Sequence, residues 1–294
     1  MLRKDGHHCG DDLWPYGGGC VTIQIDSSHL GVPVIITLTT DFGLSDPFVG
    51  MMKGVILGIA PDVQIVDLTH EIRSYDIMEA AFLLNSSYGY FPEGTVHVVV
   101  VDPGVGSSRR PIAAAANRHT FVAPDNGVLS LILSAGSTGI PVHQITNQGF
   151  FRHPVSNTFH GRDIFAPVAA HLASGAPLES VGSRILDFVR KPIPRPRPSG
   201  ENRLIGTVLR VDKFGNVVTN LRPGDLKPGF RIHASGFEIQ RLCFAFSDVE
   251  PGELFAIEGS TGHIELALNQ GSAAGKLNVG PGAEIEVETG HPNN

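Results

Sequence analysis

Asp41, Asp67 and Asp102 each come directly after a short apolar segment that is typical of a buried strand. Ligands of an open parallel sheet bind beyond the carboxyl ends of its strands, so these carboxylates are expected at the mouth of one crevice. One such aspartate alone is typical of a turn or a helix cap. Three of them favour a polar binding site at this edge, or oxygen ligands for a metal ion.

Two further segments bring charged and basic side chains towards the same crevice. Asp102 begins the segment DPGVGSSRR, in which proline and glycines hold the carboxylate in a turn and return Arg109 to within its reach. A buried carboxylate with an arginine partner stays ionised, which suits the positioning of water or of a polar ligand. The segment TFHGRD places His160 beside a glycine, where an imidazole could act as a general base or orient a reactant. Asp163 at its end is typical of a helix cap.

A glycine turn in the second half of the chain carries groups that suit a purine. The segment DKFGNVVTN contains Asp212, Phe214 and Asn216. An aromatic ring can stack on the base, and an amide can both donate to its edge and accept from it. The same residues also fit an ordinary β-turn with a core phenylalanine. Further on, Ser260 and Glu265 offer a hydroxyl and a carboxylate that could hold an ammonium group.

Composition and missing motifs exclude several classes of protein. Lys and Arg number 22 and Asp and Glu number 29, a formal charge of −7, and a surface of that sign repels nucleic-acid backbones. No apolar stretch approaches the ~18 residues of a membrane span, so neither nucleic acid nor membrane is an expected partner. The cysteines are odd in number and scattered, and no apolar signal region follows the N-terminus, which favours the cytoplasm. The motifs GxSxG and HExxH and zinc-spaced Cys and His sets are absent.

Strands and helices alternate in the first part of the chain. β-branched and apolar runs predict strands buried on both faces over 34–40, 63–66, 95–101 and 119–123. Apolar residues at three- and four-residue spacings predict helices over 48–60, 76–88 and 165–174. This alternation predicts an α/β domain, a mostly parallel α/β sandwich, over residues 33–190.

The remaining chain divides into three parts of different composition. Residues 191–200, KPIPRPRPSG, hold four prolines and predict an extended linker. Residues 201–294 contain short strand-like runs separated by Gly, Pro and Asn, which predict a smaller all-β domain, a barrel. Residues 1–32 lack regular patterning and are expected to be a flexible extension.

Seven motifs occur in order from about residue 34 to about residue 287: TLTTDFG, VDLTHEI, VDPGVGSSRR, APDNG, TFHGRD, DKFGNVVTN and ELALNQGSAAGKLNV. With these motifs the sequence resembles the S-adenosylmethionine (SAM) hydroxide adenosyltransferases. These enzymes are adenosine-forming SAM hydrolases, related to fluorinating and chlorinating enzymes. The first 32 residues lie outside the resemblance.

The resemblance implies an N-terminal α/β domain, a C-terminal adenine-binding β-barrel and a homotrimer. Each active site of the trimer would lie between the N-terminal domain of one subunit and the C-terminal domain of the next. The family's Asp–Arg–His triad carries over to Asp102, Arg109 and His160. Asp41 matches the carboxylate that holds the ribose hydroxyls, and Asn216 matches the residue that reads adenine. The nucleoside and methionine end would be lined by the segment that contains Ser260 and Glu265.

The halide position of the halogenating relatives differs in this chain. It holds the ionisable Asp102, Val105 without a hydroxyl, and Gly161 where the fluorinating enzymes have a serine. A carboxylate repels a halide and accepts a hydrogen bond from water, so water is the expected nucleophile. Of these differences, the charge of Asp102 is the strongest argument, since a chlorinating relative also has a small residue at the position of Gly161.

The expected reaction is therefore hydrolysis of SAM to adenosine and L-methionine by attack of water or hydroxide at C5′ of the ribose. SAM is the substrate in this interpretation, and neither a cofactor nor a metal is required. Two alternatives remain open from the sequence. One is a metal-dependent hydrolase that uses the strand-end aspartates as ligands, and the other is a non-catalytic nucleoside or SAM sensor.

Overall fold

The structure, a computed structural model, describes residues 34–134, 139–191 and 194–288. The flexible extension predicted over residues 1–32 lies outside these ranges. The chain forms one sheet before the proline-rich segment and a second sheet whose first strand lies within that segment. The limits given to the two domains from the sequence stay a prediction.

The first sheet is mostly parallel. In chain order its strands are β1 (Ile35–Thr40), β2 (Gln64–Thr69), β3 (Val96–Val100), β4 (Pro111–Ala116), β5 (His119–Pro124) and β6 (Val142–Gln144). They lie side by side in the order β2, β1, β3, β5, β4, β6. Pairing is parallel from β2 across to β5, and β4 is antiparallel to both of its neighbours. The predicted mostly parallel α/β half is confirmed.

Helices cover both faces of this sheet. They are α1 (Phe48–Ile59), α2 (Ile77–Ser87), α3 (Ser130–Ser134) and α4 (Ala166–Ala173). Helices α1 and α4 pack on one face, and α2 and α3 pack on the other. Successive residues of β3 alternate between the two cores: Val98 belongs to the first core and Val99 to the second. A strand buried on both faces needs a continuous apolar run, which explains the sequence pattern. Within the described ranges, no helix is both long and apolar enough to cross a membrane.

Strand β4 is the largest departure from the predicted elements. Its sequence, PIAAAA, is rich in alanine, which is depleted in strands, so the sequence pattern predicts no strand there. Pairing with β5, in which Ile112 lies opposite Ala123, and burial of its small side chains stabilise the extended conformation.

Helix α2 begins where the sequence predicts. The Asp76 side chain caps it by accepting a hydrogen bond from the backbone N–H of Glu79, 2.9 Å away.

The second sheet is curled and mostly antiparallel, as the predicted all-β half requires. Its strands are β7 (Arg197–Pro198), β8 (Arg203–Val211), β9 (Val217–Thr219), β10 (Arg231–Ala234), β11 (Phe237–Ile239), β12 (Leu242–Cys243), β13 (Leu254–Glu258), β14 (Ile264–Leu268) and β15 (Glu284–Glu288). The main path runs β11, β10, β15, β8, β9, β14, β13, β12, and β7 pairs with β8. A short helix, α5 (Ala273–Leu277), contributes Ala273 and Leu277 to its core.

Helix α2 joins the two sheets through an apolar contact. Phe82 packs against Leu209 and Val218 of the second sheet. Its ring centroid lies 5.1 Å from that of His263, in an edge-on arrangement. This contact holds the second sheet against the α2 face of the first.

Candidate active site

Three side chains predicted to act together lie in contact at the carboxyl edge of the first sheet. Asp102 follows β3, Arg109 precedes β4, and His160 precedes a π-helical turn over Gly161–Phe165. The Nε of Arg109 donates to both carboxylate oxygens of Asp102, each at 2.9 Å, and its Nη2 contacts the Oδ2. The same Nη2 lies 2.7 Å from Nδ1 of His160. Arg109 therefore bridges the carboxylate and the imidazole.

The turn that returns Arg109 depends on a close approach between two loops. Gly106 has a φ of +75°, and a Cβ there would lie 2.3 Å from the backbone oxygen of Asn157. Only glycine fits this combination of left-handed backbone and contact. Ser107 donates from its hydroxyl to the oxygen of Gly104 at 2.6 Å, and the backbone N–H of Arg109 donates to that hydroxyl at 3.2 Å. The turn is thus packed against the loop that leads to His160.

Burial of the triad affects the protonation of His160. The side chains of Arg109 and Asp102 are 9 % and 5 % exposed, and the guanidinium carbon lies 5.2 Å from the ring centroid of Phe165. Burial and the positive charge of Arg109 lower the pKa of His160, against the opposing effect of nearby carboxylates. His160 is therefore neutral at neutral pH. Among the described residues, nothing accepts a hydrogen bond from the buried Nη1 of Arg109.

Asp163 supports the loop that carries His160. It lies inside the π-helical turn instead of capping a helix, and its side chain is fully buried. Its carboxylate accepts from Nε of Arg162 at 2.7 Å and from the backbone N–H of Ser156 at 2.9 Å. Burial alone would raise the pKa of Asp163, but hydrogen bonds from Arg162, Ser156 and Arg152 lower it overall. The ionised carboxylate ties both ends of the loop together.

The two other aspartates that were expected at strand ends have different surroundings. Asp41 follows β1, and its Oδ2 accepts a hydrogen bond from the backbone N–H of Tyr75 at 2.8 Å. Asp67 is paired with Lys53, whose Nζ lies 2.6 Å from Oδ2, and with His70, whose Nε2 lies 3.0 Å from Oδ1. Asp67 lies inside β2, opposite Leu38, so its predicted place beyond the end of a strand is wrong. Its carboxylate is engaged by its own neighbours and is not part of the triad. In the part of the chain that the structure describes, no three His, Cys, Asp or Glu side chains are grouped as metal ligands.

The predicted purine-binding residues line a cavity of about 670 Å³ in the second sheet. Its walls include Asp212, Phe214, Asn216, Phe246, Ile257, Glu258, Gly259, Ser260, Glu265, Leu268, Gln270 and Gly271. None of the triad residues belongs to this lining within the described ranges. The single chain therefore presents two groups of candidate site residues, one on each sheet.

Asp212 shapes the turn between β8 and β9. Its Oδ1 accepts from the backbone N–H of Phe214 at 2.9 Å and of Asn216 at 2.8 Å, and its Oδ2 accepts from Nδ2 of Asn216 at 2.9 Å. Gly215 has a φ of +86°, and a Cβ there would lie 2.2 Å from Oγ of Ser272. Phe214 is 76 % exposed, so it is not the core residue of an ordinary β-turn. Its ring is available for stacking at the cavity wall.

Glu265, an acidic residue of the cavity lining, lies close to Gly259 in the same lining. A Cβ on Gly259 would lie 1.9 Å from Oε1 of Glu265, so this carboxylate occupies the space that the glycine leaves. Burial and the neighbouring charge of Asp212 raise the pKa of Glu265, while Arg210 opposes the rise. Two carboxylates that repel each other in one cavity would both gain from a bound cation.

Two family models match the chain. One is described as the SAM hydroxide adenosyltransferase N-terminal domain and matches residues 36–182; the other is described as the C-terminal domain and matches residues 206–286. The chain belongs to the SAM hydroxide adenosyltransferase family. The triad lies in the N-terminal family domain and the cavity in the C-terminal one, so both parts of the family are present.

Proteins similar to this chain match it over nearly their whole length. The chain is 41 % identical over 258 residues to a Salinispora tropica protein named (R)-S-adenosyl-L-methionine hydrolase, with 87 % of this chain and 98 % of that protein covered. It is 31 % identical over 293 residues to a fluorinase from Nocardia brasiliensis, with 87 % and 97 % covered. The crystal structure of an uncharacterized conserved protein from Thermotoga maritima superposes with a TM-score of 0.78 at 40 % identity, covering 86 % of this chain and 99 % of that one. The resemblance stated from the motifs is confirmed.

Several residues at these sites could not be found from sequence patterns. The exposed Tyr75 has a φ of +70° and holds Asp41 through its backbone, a role that no side-chain motif signals. Arg210 carries a buried Nε without a hydrogen-bond partner among the described residues, 3.5 Å from Oε1 of Glu79. Gln270 lines the cavity from within the motif ELALNQGSAAGKLNV, but nothing in that motif singled it out as a site residue. Only the fold places these residues beside the predicted ones.

Proposed function

We propose that this chain hydrolyses S-adenosyl-L-methionine to adenosine and L-methionine, with water or hydroxide attacking C5′ of the ribose. The observation that carries the proposal is the buried contact of Asp102, Arg109 and His160 at the carboxyl edge of the first sheet. Three relatives at 41 %, 38 % and 36 % identity bear the name (R)-S-adenosyl-L-methionine hydrolase and support it.

The leaving group of this reaction needs no catalytic help from the protein. The sulfonium is already cationic and departs as the neutral thioether of methionine, so no general acid is needed. The C5′–S bond breaks as the new C5′–O bond forms, and the attacking water gives up one proton. The site must therefore hold an oxygen nucleophile in line with the C–S bond and accept that proton.

The triad presents donors to such a nucleophile. Because arginine has only donors, Nδ1 of His160 must accept from Arg109, and the neutral imidazole carries its proton on Nε2. In this proposal Nε2 of His160 and Nη1 of Arg109 donate to the attacking oxygen and stabilise its negative charge. A carboxylate offers about four acceptor positions, so Asp102 keeps capacity for the proton of the water although Arg109 occupies part of it.

The cavity of the second sheet is the proposed site for the rest of the substrate. Phe214 stacks on the adenine and Asn216 hydrogen-bonds to its edge, while Asp41 from the first sheet holds the ribose hydroxyls. Ser260 and Glu265 contact the methionine end, where the acidic cavity favours the positive charge of SAM. No cofactor takes part in this scheme.

A homotrimer with shared active sites is part of the proposal. The triad does not line the cavity of its own chain in the described ranges, and a second copy would supply the missing half. Both halves expose large apolar side chains that such a copy could cover: Phe48, Met51 and Tyr75 on the first and Phe214, Phe244 and Phe246 on the second. Mixing Asp102→Ala with Asn216→Ala subunits should then restore part of the activity. No rescue in verified mixed trimers would contradict shared sites.

Water is the proposed nucleophile although a fluorinase is among the relatives. The carboxylate of Asp102 repels a halide. Space is also short at Gly161, where a Cβ would lie 3.2 Å from the ring of Phe159 and 3.3 Å from Sδ of Met52. A larger residue there would press on both neighbours.

We place the reaction in the cytoplasm, where a buried free thiol such as that of Cys243 stays reduced.

The experiment that tests this function is incubation of the purified protein with SAM, with and without a chelator, followed by chromatography. Adenosine and methionine should appear in equal amounts, the chelator should leave the rate unchanged, and Asp102→Ala should abolish the products. Loss of activity with the chelator would favour a metal-dependent hydrolase. Binding of SAM without turnover would favour a sensor.

A further inference from the structure

A buried threonine–histidine pair lies directly behind Asp41. Thr40 is the last residue of β1, and His70 follows the end of the neighbouring β2. The Oγ1 of Thr40 lies 2.8 Å from Nδ1 of His70. The other ring nitrogen, Nε2, lies 3.0 Å from Oδ1 of Asp67, whose Oδ2 accepts from Lys53. Burial opposes it, but the hydrogen bond from Lys53 and the contact with His70 lower the pKa of Asp67, so this carboxylate is ionised.

The contacts of this pair reach the backbone of the turn that follows Asp41. An ionised carboxylate only accepts, so the nitrogen that faces Asp67, Nε2 of His70, carries a proton, and Nδ1 can accept from Thr40. The hydroxyl of Thr40 then donates to Nδ1, and its oxygen accepts from the backbone N–H of Phe42 at 3.3 Å. The backbone oxygen of His70 accepts from the N–H of Gly43 at 2.9 Å. Both backbone N–H groups that follow Asp41 are therefore held by this pair.

We propose that Thr40 and His70 are positioning residues for the substrate-binding carboxylate of Asp41. The proposal rests on the proposed function, in which Asp41 holds the ribose diol. Thr40 is fully buried and His70 is 4 % exposed, so neither can reach a substrate or act as a nucleophile. They act by fixing the turn that begins at Asp41, where Gly43 takes a φ of +64°. Thr40 and His70 both lie in motifs of the sequence, but the motifs alone do not show whether these residues position Asp41 or only pack in the core.

The same strand contains a matched control. Thr37 of β1 is fully buried, and its Oγ1 lies 2.8 Å from Nδ1 of the buried His97. This pair has the chemistry and distance of the Thr40 pair, but its histidine turns its other nitrogen towards His119, 3.3 Å away. Loss of either threonine hydroxyl should cost similar stability, whereas only the loss at Thr40 should disturb the ribose site.

The first test compares Thr40→Val, Thr40→Ser and the control Thr37→Val. Thr40→Val should weaken calorimetric binding of adenosine about fivefold to tenfold and raise KM for SAM more than it lowers kcat, because one hydrogen bond of the turn is lost. Thr40→Ser keeps the hydroxyl and should bind within about twofold of the wild type. Thr37→Val should lower the melting temperature with unchanged affinity. Equal affinities for the Thr40→Val and Thr37→Val proteins would overturn the proposal.

Two amides at position 70 test which ring nitrogen matters. The side-chain oxygen of His70→Asn can occupy the position of Nδ1 and accept from Thr40, whereas the amide of His70→Gln reaches only the position of Nε2. The Asn variant should keep adenosine affinity better than the Gln variant, although both lose one contact. The reverse order would show that the contact with Asp67 dominates and would overturn the assigned direction.

A double-mutant cycle separates positioning from general destabilisation. Residues that act only through Asp41 should have no further effect once that carboxylate is gone, so Thr40→Val in an Asp41→Asn background should leave adenosine affinity unchanged. Additive losses would overturn the proposal. A wild-type protein that binds adenosine but does not hydrolyse SAM would contradict the proposed function, and the cycle on adenosine would still decide the positioning role. A wild-type protein without adenosine binding would contradict both.

Discussion

Replacement of Asp102 by asparagine removes one negative charge and almost no volume from the triad. The carboxylate is 5 % exposed and its partner guanidinium is 9 % exposed. Nε of Arg109 lies 2.9 Å from both carboxylate oxygens, and Nη2 contacts one of them. In Asp102→Asn one of these acceptors becomes an NH₂ group that faces donors. The variant therefore leaves a buried cation without a counter-charge.

The expected loss of stability follows from that burial. Removing one partner of a buried ion pair costs about 3–5 kcal/mol. The amide oxygen still accepts one hydrogen bond from Arg109, so the lower part of the range, about 3–4 kcal/mol, is expected. For a chain of this size, that corresponds to a fall in melting temperature of roughly 5–8 °C. Turnover should fall about 10²–10⁴-fold, the usual contribution of proton transfer by a positioned side chain.

The assay is chemical denaturation and SAM turnover of Asp102→Asn, Arg109→Met and the double variant. Removing both charges of a buried pair is often nearly neutral for stability, so the double variant should be more stable than Asp102→Asn. Its turnover should stay as low as that of the single variants, because the reaction needs both charged groups. Stability, in contrast, needs only that neither charge is left buried without its partner. An Asp102→Asn protein with wild-type stability and turnover would refute the reasoning.

Three further outcomes can be measured on single variants or on the unmodified protein. Burial lowers the pKa of His97 to about 3, so below the usual imidazole pKa of about 6.5 only the unfolded chain binds its proton and stability falls with falling pH. In His97→Phe, urea denaturation should show a shallower loss on acidification; an unchanged pH slope would contradict this. Gly259→Ala should weaken SAM binding, since its Cβ would lie 1.9 Å from Oε1 of Glu265, whereas Gly280→Ala, with open space around its Cβ, should not. Equal affinities of the two glycine variants by calorimetry would count against the cavity as the binding site. At high chloride, chromatography should detect no 5′-chloro-5′-deoxyadenosine, because Asp102 repels the anion; any such product above the background without enzyme would be contrary evidence.

The sequence indicates the candidate site best where one local turn determines the geometry. Asp102 and Arg109 are seven residues apart in a Pro- and Gly-rich turn, so their contact is a local property of the chain. The carboxyl ends of parallel strands then place Asp41 at the same edge of the sheet. These inferences need only strand direction and turn length.

Contacts between elements explain what the sequence could not predict. The apolar run before Asp67 resembles the run before Asp41, but β2 continues to Thr69, so Asp67 lies inside the strand. Lys53 from α1 and His70 after β2 occupy its carboxylate. The strand β4 is built from alanines, and pairing with β5 overrides their local preference. The acidic side of the cavity depends on Gly259, whose missing side chain leaves room for a residue on the next strand. Each of these features is set by tertiary packing.

The fate of oxygen from isotopically labelled water tests the central claim most directly. The protein is incubated with SAM in water enriched in the heavy oxygen isotope. The products are then separated, and their masses are measured by mass spectrometry. Attack of water at C5′ predicts one heavy oxygen in the 5′-hydroxyl of adenosine and none in methionine, with both products in equal amounts. Formation of S-adenosylhomocysteine with labelled methanol, or of adenosine without the heavy oxygen, would contradict the account.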